Sequence, residues 1–245
     1  MLLSLRGVTA GYRRGPLTSR VLADVSLELC AREVVSVLAM RGQGKSTLLR
    51  VAAGMQRPDA GRVLLDGDDL WLLGDALRQQ LLRGRIAWVE SSPPGVDVSV
   101  LEHVVVPLLV GRAARRGAHA RARAALERVG AAGCAGQRWE ELSDWDRALV
   151  AIAAGVVRQP QLLVVDDLTS TLGLKETDEV TRLLHSLARE TGAAVLMGVS
   201  DANATQWSDR IATLAGGELL ENADAGESDP GKVASLADHS RLRSS

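Results

Sequence analysis

The sequence predicts an α/β fold built on a parallel sheet. Two stretches carry that prediction. The apolar run "EVVSVLAM" at 33–40 meets a glycine-rich turn, and helical spacing follows in "GKSTLLRVAAGM" at 44–55. A second apolar run, "QLLVVDD" at 161–167, ends in two carboxylates. Short apolar runs bounded by charge and glycine suit strands covered on both faces. Strands that alternate with helices lie parallel.

The elements follow in order. "LLSLRGVTAGYR" (2–13) and "VLADVSLELC" (21–30) read as strands split by the turn-rich "RRGPLTS" (13–19). After the strand at 33–40 and the helix at 44–55, "RPDAGRVLLDGDDL" (57–70) reads as turn, strand and glycine turn. "RIAWVESSPPGVDVS" (85–99) is a strand running into a Pro/Gly loop, and 100–160 is mainly helical. That block contains "GRAARRGAHARARAALERVG" (111–130), with six arginines. They spread around the helix without interleaved aromatics, so a solvated face is the better reading than a nucleic-acid patch. "AAVLMGVS" (193–200) and "RIATLAGGELL" (210–220) are two further strand-like runs. From about Glu221 the chain is polar and rich in small residues, a mobile tail by composition.

Composition narrows the function classes. Apolar residues make up 46% and charged residues 24% of 245, enough for a full core in one large domain or two small ones. There is no Phe and one Tyr, so Leu, Val, Ala and Ile fill the interior. A net charge of −1 gives no global field toward nucleic acid or an anionic membrane. Cys30 and Cys134 fit no metal spacing and no disulfide framework. "MLLSLRGV" is too short for a secretory signal, and the apolar runs at 104–110 and 148–157 are too short to span a bilayer. The expected place is the cytoplasm, at the inner face of the cell membrane only through a partner.

"AMRGQGKST" at 39–47 looks like a phosphate-binding loop whose first glycine is Ala39. A phosphate needs inward backbone N–H groups, a helix N-terminus and a cation. Gly42 and Gly44 allow the curl, Lys45 reaches the terminal phosphates, and the Ser46 hydroxyl can ligate Mg²⁺. Arg41, Gln43 and Thr47 complete the contacts expected for nucleotide. The only lysines are Lys45, Lys175 and Lys232, so one falling after Gly44 by chance is improbable. Ala39 is tolerable if its φ is negative, with up to ~1 kcal/mol at stake otherwise. Asp166, at the end of the second strand, can hold Mg²⁺ through water beside this loop.

With both motifs in place the chain resembles the nucleotide-binding subunit of ABC transporters over residues 1 to about 220. It looks most similar to the lipoprotein-release, macrolide-export and cell-division subgroup, through "VSVLEHVVVPLL" (98–109) and "RPDAGRVLLDGDDL". The resemblance implies a phosphate-loop NTPase core with a parallel sheet, an N-terminal antiparallel β subdomain and a helical subdomain at about 91–160. It implies ATP and Mg²⁺ as cofactors, a membrane-embedded partner and a second ATP-binding subunit, with no nucleic acid. Tyr12 falls where the family stacks an aromatic on adenine; half-covered strand residue is the alternative reading.

Several motifs depart from the family pattern. Glu90 stands for the family glutamine, and "LSDWD" (Leu142 to Asp146) for LSGGQ. Asp167 stands for the catalytic glutamate, Gly173 for the aspartate closing the next loop, and Ser200 for the switch histidine. Asp167 keeps the carboxylate but is one methylene shorter, and a ~1 Å misplacement of a catalytic group can cost on the order of 100-fold. Ser200 is much shorter than an imidazole. Glu90 puts a charge beside the phosphates, repelled unless it ligates metal. Arg41 either offsets that charge or is an exposed loop side chain. Asp144 and Trp145 add charge and bulk where the family needs glycine, and Ser143 keeps its type. The expectation is weak or absent hydrolysis by the chain alone and an asymmetric pairing with a more complete subunit. A non-catalytic regulatory module and a soluble ABC-type ATPase are the alternatives.

Overall fold

The structure, a computed structural model, describes residues 1–14, 17–92, 95, 97–109 and 117–222. Two antiparallel strands open the chain, β1 (Leu3–Arg14) and β2 (Leu17–Leu29). Strand structure thus extends into the segment whose composition reads as a turn; residues 15–16 lie outside the described residues. After β3 (Val34–Leu38) and α1 (Lys45–Ala52) come β4 (Ala60–Leu65) and the two-residue β5 (Asp68–Asp69). β2, β1, β4 and β5, in that order, form an antiparallel sheet.

The chain continues with α2 (Asp75–Arg85), β6 (Ile86–Val89), α3 (Val100–Leu109), α4 (Ala118–Arg128), α5 (Asp144–Val156) and β7 (Leu162–Asp166). It ends with α6 (Leu174–Thr191), β8 (Ala194–Val199), β9 (Arg210–Ala215) and β10 (Glu218–Asn222). The second sheet has the order β10-β9-β3-β8-β7-β6. Every pair in it is parallel except β9 with β10. The single strand-like run at 210–220 is therefore a hairpin, folded at Gly216 and Gly217, both of positive φ. β10 takes in Glu221 and Asn222; the polar segment from 223 on lies outside the described residues.

Alternation along the parallel strands divides the interior in two. Val34, Leu163, Val165, Val195 and Met197 face one apolar cluster, shared with α3, α4, α5 and α6. Val35, Val37, Leu162, Val164 and Leu196 face the other, shared with α1 and the antiparallel sheet. Side chains alternate across a strand, so each central strand is covered on both faces. That is why these runs carry no polar alternation. Within the arginine-rich run, Arg121 donates to the Val157 carbonyl at 3.1 Å and Arg128 pairs with Glu190 at 2.8 Å. Residues 110–116 of that run are outside the described residues. No helix among the described residues is long and apolar enough to cross a membrane.

Candidate functional site

The glycine-rich loop leaves the end of β3 and opens α1. Ala39 is buried in the core cluster beneath the loop and is not among the residues with positive φ, so the missing first glycine strains nothing. Gly44 is the residue that cannot be replaced. Its φ is 100°, and a Cβ there would lie 2.5 Å from Val21 Cγ1 and 3.0 Å from the Val21 carbonyl oxygen. The strand β2 thus presses against the turn from behind. Gly44 caps α1 and, having no side chain, makes no capping hydrogen bond of its own to the first-turn N–H groups, which is where an anion would bind.

The predicted loop residues divide by what they touch. Arg41 and Gly42 are exposed at the tip. The Gln43 side chain turns away from the loop interior and accepts a hydrogen bond from the Gly216 backbone N–H at 3.0 Å, bracing the loop on the β9–β10 turn. The Thr47 hydroxyl is 2.8 Å from the Tyr12 hydroxyl, so β1 and the first turn of α1 are joined side chain to side chain. Tyr12 remains 44% exposed, leaving ring surface available beside the loop.

Lys45 is buried, and its ammonium donates to Asp167 Oδ1 at 2.7 Å and to Ser200 Oγ at 2.5 Å. Ser200 in turn donates to the same Asp167 oxygen at 3.1 Å. Three residues far apart in sequence thus form one closed cluster. The sheet register explains it. Asp166 pairs with Gly198 across β7 and β8, so Asp167 and Ser200 leave adjacent strand ends toward α1. Gly198 is the residue that sequence reasoning missed. A Cβ there would lie 2.7 Å from Lys45 Cγ and 2.8 Å from Leu49 Cδ1. The signal was a glycine inside an otherwise apolar strand, a mark of close approach.

Neighbouring carboxylates are set apart by their surroundings. Burial pushes the Asp166 carboxyl above the usual range; the Ser46 hydroxyl and the Lys45 charge only soften that. Its Oδ1 is buried, with no hydrogen-bond partner among the described residues. For Asp167, burial also pushes upward, but the Lys45 bond and charge and the Ser200 bond outweigh it and hold the carboxyl below its usual range. Asp167 itself sits at φ 50°, a left-handed conformation that Asp tolerates better than most residues.

An orphaned carboxylate oxygen beside a serine hydroxyl fits a hard divalent cation. Among the described residues no group of three or more His, Cys, Asp or Glu side chains could cage a metal. The donor set suits Mg²⁺, which keeps several waters and takes few protein ligands. Glu90, exposed at the end of β6, shares a cavity of about 450 Å³ with Asp166, Asp167, Asp144 and Arg147. It accepts a hydrogen bond from Ser92 Oγ at 3.1 Å.

The altered segment "LSDWD" starts α5. Ser143 caps the helix, accepting from the Asp146 backbone N–H at 3.1 Å. Asp144 is exposed and pairs with Arg147 at 3.1 Å. Trp145 packs partly buried against the helical core, so much of its bulk turns inward rather than outward as the sequence alone implied. Arg147, which also donates to the Trp139 carbonyl at 3.3 Å, was not foreseen.

Comparison with known proteins agrees with this architecture. The family model described as ABC transporter matches residues 22–170. The lipoprotein-releasing system ATP-binding protein LolD of Pseudomonas syringae pv. tomato is 35% identical over 221 residues, 90% of this chain and 97% of that protein. Its counterpart from Cereibacter sphaeroides is 34% identical over 221 residues, 89% of this chain and 99% of that protein. Among solved structures, the dimeric bacterial ABC transporter cassette MJ0796 superposes with a TM-score of 0.83 at 27% identity, covering 92% of this chain and all (100%) of that one. Its post-hydrolysis form, bound to ADP and Pi, gives 0.82 at 26% identity with the same coverage, 92% and 100%. The two-sheet α/β architecture is that of the ABC cassette, and the chain belongs to the ABC transporter family.

Proposed function

We propose that the chain is the ATP-binding subunit of an ABC transporter similar to the lipoprotein-releasing systems, and that it hydrolyses ATP weakly or not at all alone. The observation that carries nucleotide binding is the Lys45 ammonium at the start of α1, beside a buried Asp166 oxygen that has no hydrogen-bond partner among the described residues. Lys45 and the α1 backbone would hold the phosphates, and Tyr12 offers an exposed ring for the base. Ser46 and Asp166 would hold Mg²⁺, with Glu90 close enough to share its cavity. When bound, that ion neutralises phosphate charge.

Weak hydrolysis follows from where the other groups are spent. Asp167 is short for a group that must orient water, and it already pairs with Lys45. Ser200 is exposed, but its hydroxyl is bonded to the same pair. Asymmetric pairing follows from Asp144, an exposed anion at the start of α5, where a second subunit's phosphate would approach. A partner with an unaltered segment there and its own membrane subunit would complete the assembly at the inner face of the membrane.

Calorimetry with MgATP on the wild type and on Lys45→Ala tests the binding. Loss of a charge-assisted phosphate contact is worth roughly 1.5–3 kcal/mol, or about 10- to 150-fold in Kd. The change also leaves Asp167 unpaired beside the phosphates, which adds repulsion. Equal affinity in the two proteins would end the nucleotide reading. Turnover by the isolated chain at ~1–10 s⁻¹, an ordinary enzyme rate, would end the weak-hydrolysis reading.

A further inference from the structure

We propose that Asp167 and Ser200 form a lock that holds the Lys45 ammonium away from the phosphate loop until a polyphosphate displaces it. The inference deepens the nucleotide reading and rests on it. An ammonium has three donors. Two of them are committed here, to Asp167 Oδ1 at 2.7 Å and Ser200 Oγ at 2.5 Å. The lysine stem is confined as well, lying against Gly198, where not even a methyl group would fit. The lysine side chain is 8% exposed, so water does little to screen or replace these bonds.

The partners are held in place independently of the lysine. Asp167 follows the last residue of β7 in a left-handed turn, with its N–H donating to the Gly198 carbonyl at 3.2 Å and its own carbonyl accepting from Ser170 Oγ at 3.0 Å. Ser200 follows the end of β8 and bonds the same carboxylate oxygen. The lock is thus built on two adjacent strand ends, and a ligand opens it by drawing the ammonium off them. Asp167 and a bound phosphate are two anions competing for one cation. Engaging the phosphate means leaving or sharing Asp167, which then faces the phosphate charge. A weakly held anion gains too little to open the lock. Only a ligand with further contacts along the loop displaces it, and its apparent affinity is reduced by the fraction of molecules that are locked.

Two measurements test this. The first needs no nucleotide. The amine-labelling rate of Lys45 is followed by mass spectrometry against Lys175, whose side chain is 90% exposed. Labelling should be slow in the wild type and rise several-fold in Asp167→Asn and in Ser200→Ala, each checked for folding by thermal melting. No rise in either folded variant overturns the lock. The second is a double-mutant cycle with MgATP. Ser200→Ala, which removes a lock partner without changing the charge near the phosphates, should tighten binding about 2- to 5-fold when Lys45 is present and leave it unchanged in the Lys45→Ala background. Equal tightening in both backgrounds means that Ser200 acts on the ligand without the lysine and overturns the lock. If Lys45→Ala alone leaves affinity unchanged, the nucleotide reading fails, while the labelling experiment still judges the lock.

Discussion

Replacing Gly198 by alanine would add one methyl group where the Lys45 stem crosses β8. Its carbon would lie 2.7 Å from Lys45 Cγ, 2.9 Å from Lys45 Cδ and 2.8 Å from Leu49 Cδ1. Carbon atoms do not approach that closely without displacement. The lysine stem can bend, but Leu49 is fully buried in the core and cannot leave it. Gly198 is not among the glycines of positive φ, so the cost is packing and not backbone strain. Over-packing of this kind costs about 1–3 kcal/mol. For a chain of this size that lowers Tm by roughly 2–12 °C. The same contact displaces the Lys45 stem at Cγ and Cδ, so the ammonium is misplaced for a phosphate as well as for Asp167, and MgATP binding should weaken. Differential scanning calorimetry and titration with MgATP read the two effects. An unchanged Tm together with unchanged affinity would refute the view that Gly198 positions the lysine.

Two other perturbations probe the scaffold. Gly155 lies in α5 against β6, and an added Cβ would be 2.5 Å from Val89 Cγ2, whereas Gly84 in α2 faces open space. Gly155→Ala should therefore destabilise by about 1–3 kcal/mol despite the better helix propensity of alanine. Gly84→Ala should stabilise by up to about 1 kcal/mol; urea unfolding midpoints that move the same way for both would contradict this. His103 is partly buried against Trp139, their rings 5.6 Å apart, and burial holds its pKa below the ordinary value. As pH falls the unfolded chain takes up that proton first. The stability His103 contributes is thus complete above about pH 6.5 and is lost as pH falls through the folded-state value. His103→Gln should flatten the acid limb of a Tm-versus-pH curve, and an unchanged slope would exclude the effect.

Much of the fold was legible because its central strands are covered on both faces. A strand buried on two sides leaves a continuous apolar run, so 33–40, 161–167 and 193–200 declared themselves. α6 went unread, although Val180, Leu184 and Leu187 stand in it at helical spacing and are buried. α2 carried a weaker signal, because none of its residues is fully buried and only Leu81 and Leu82 pack against the core. The hairpin at Gly216–Gly217 shows a different failure. Apolar character continues on both sides of the turn, so hydrophobicity alone reads one strand, and only the glycine pair marks the reversal.

The site divides along a similar line. Backbone-encoded features were visible, since a glycine loop that must open a helix can be recognised from residue types and spacing. Side-chain partnerships were not. From its position Asp167 reads as a shortened stand-in for the family's catalytic glutamate and Ser200 as a short stand-in for its switch histidine, each judged on its own. The sheet register instead brings both to one ammonium, 122 and 155 residues away in sequence. A longer carboxylate and an imidazole at those two positions would have different reach and different donors. The substitutions at 167 and 200 therefore have a joint consequence that neither carries singly. Asp167 brings a compact anion and Ser200 a compact hydroxyl, and together they fit around the end of one lysine. Asp166, one residue away, is left with a buried oxygen that has no partner among the described residues. The two adjacent aspartates thus separate into one already neutralised by protein and one with an oxygen that no described residue bonds, and the proposed roles of Asp166 toward a cation and of Lys45 toward a phosphate both rest on that division.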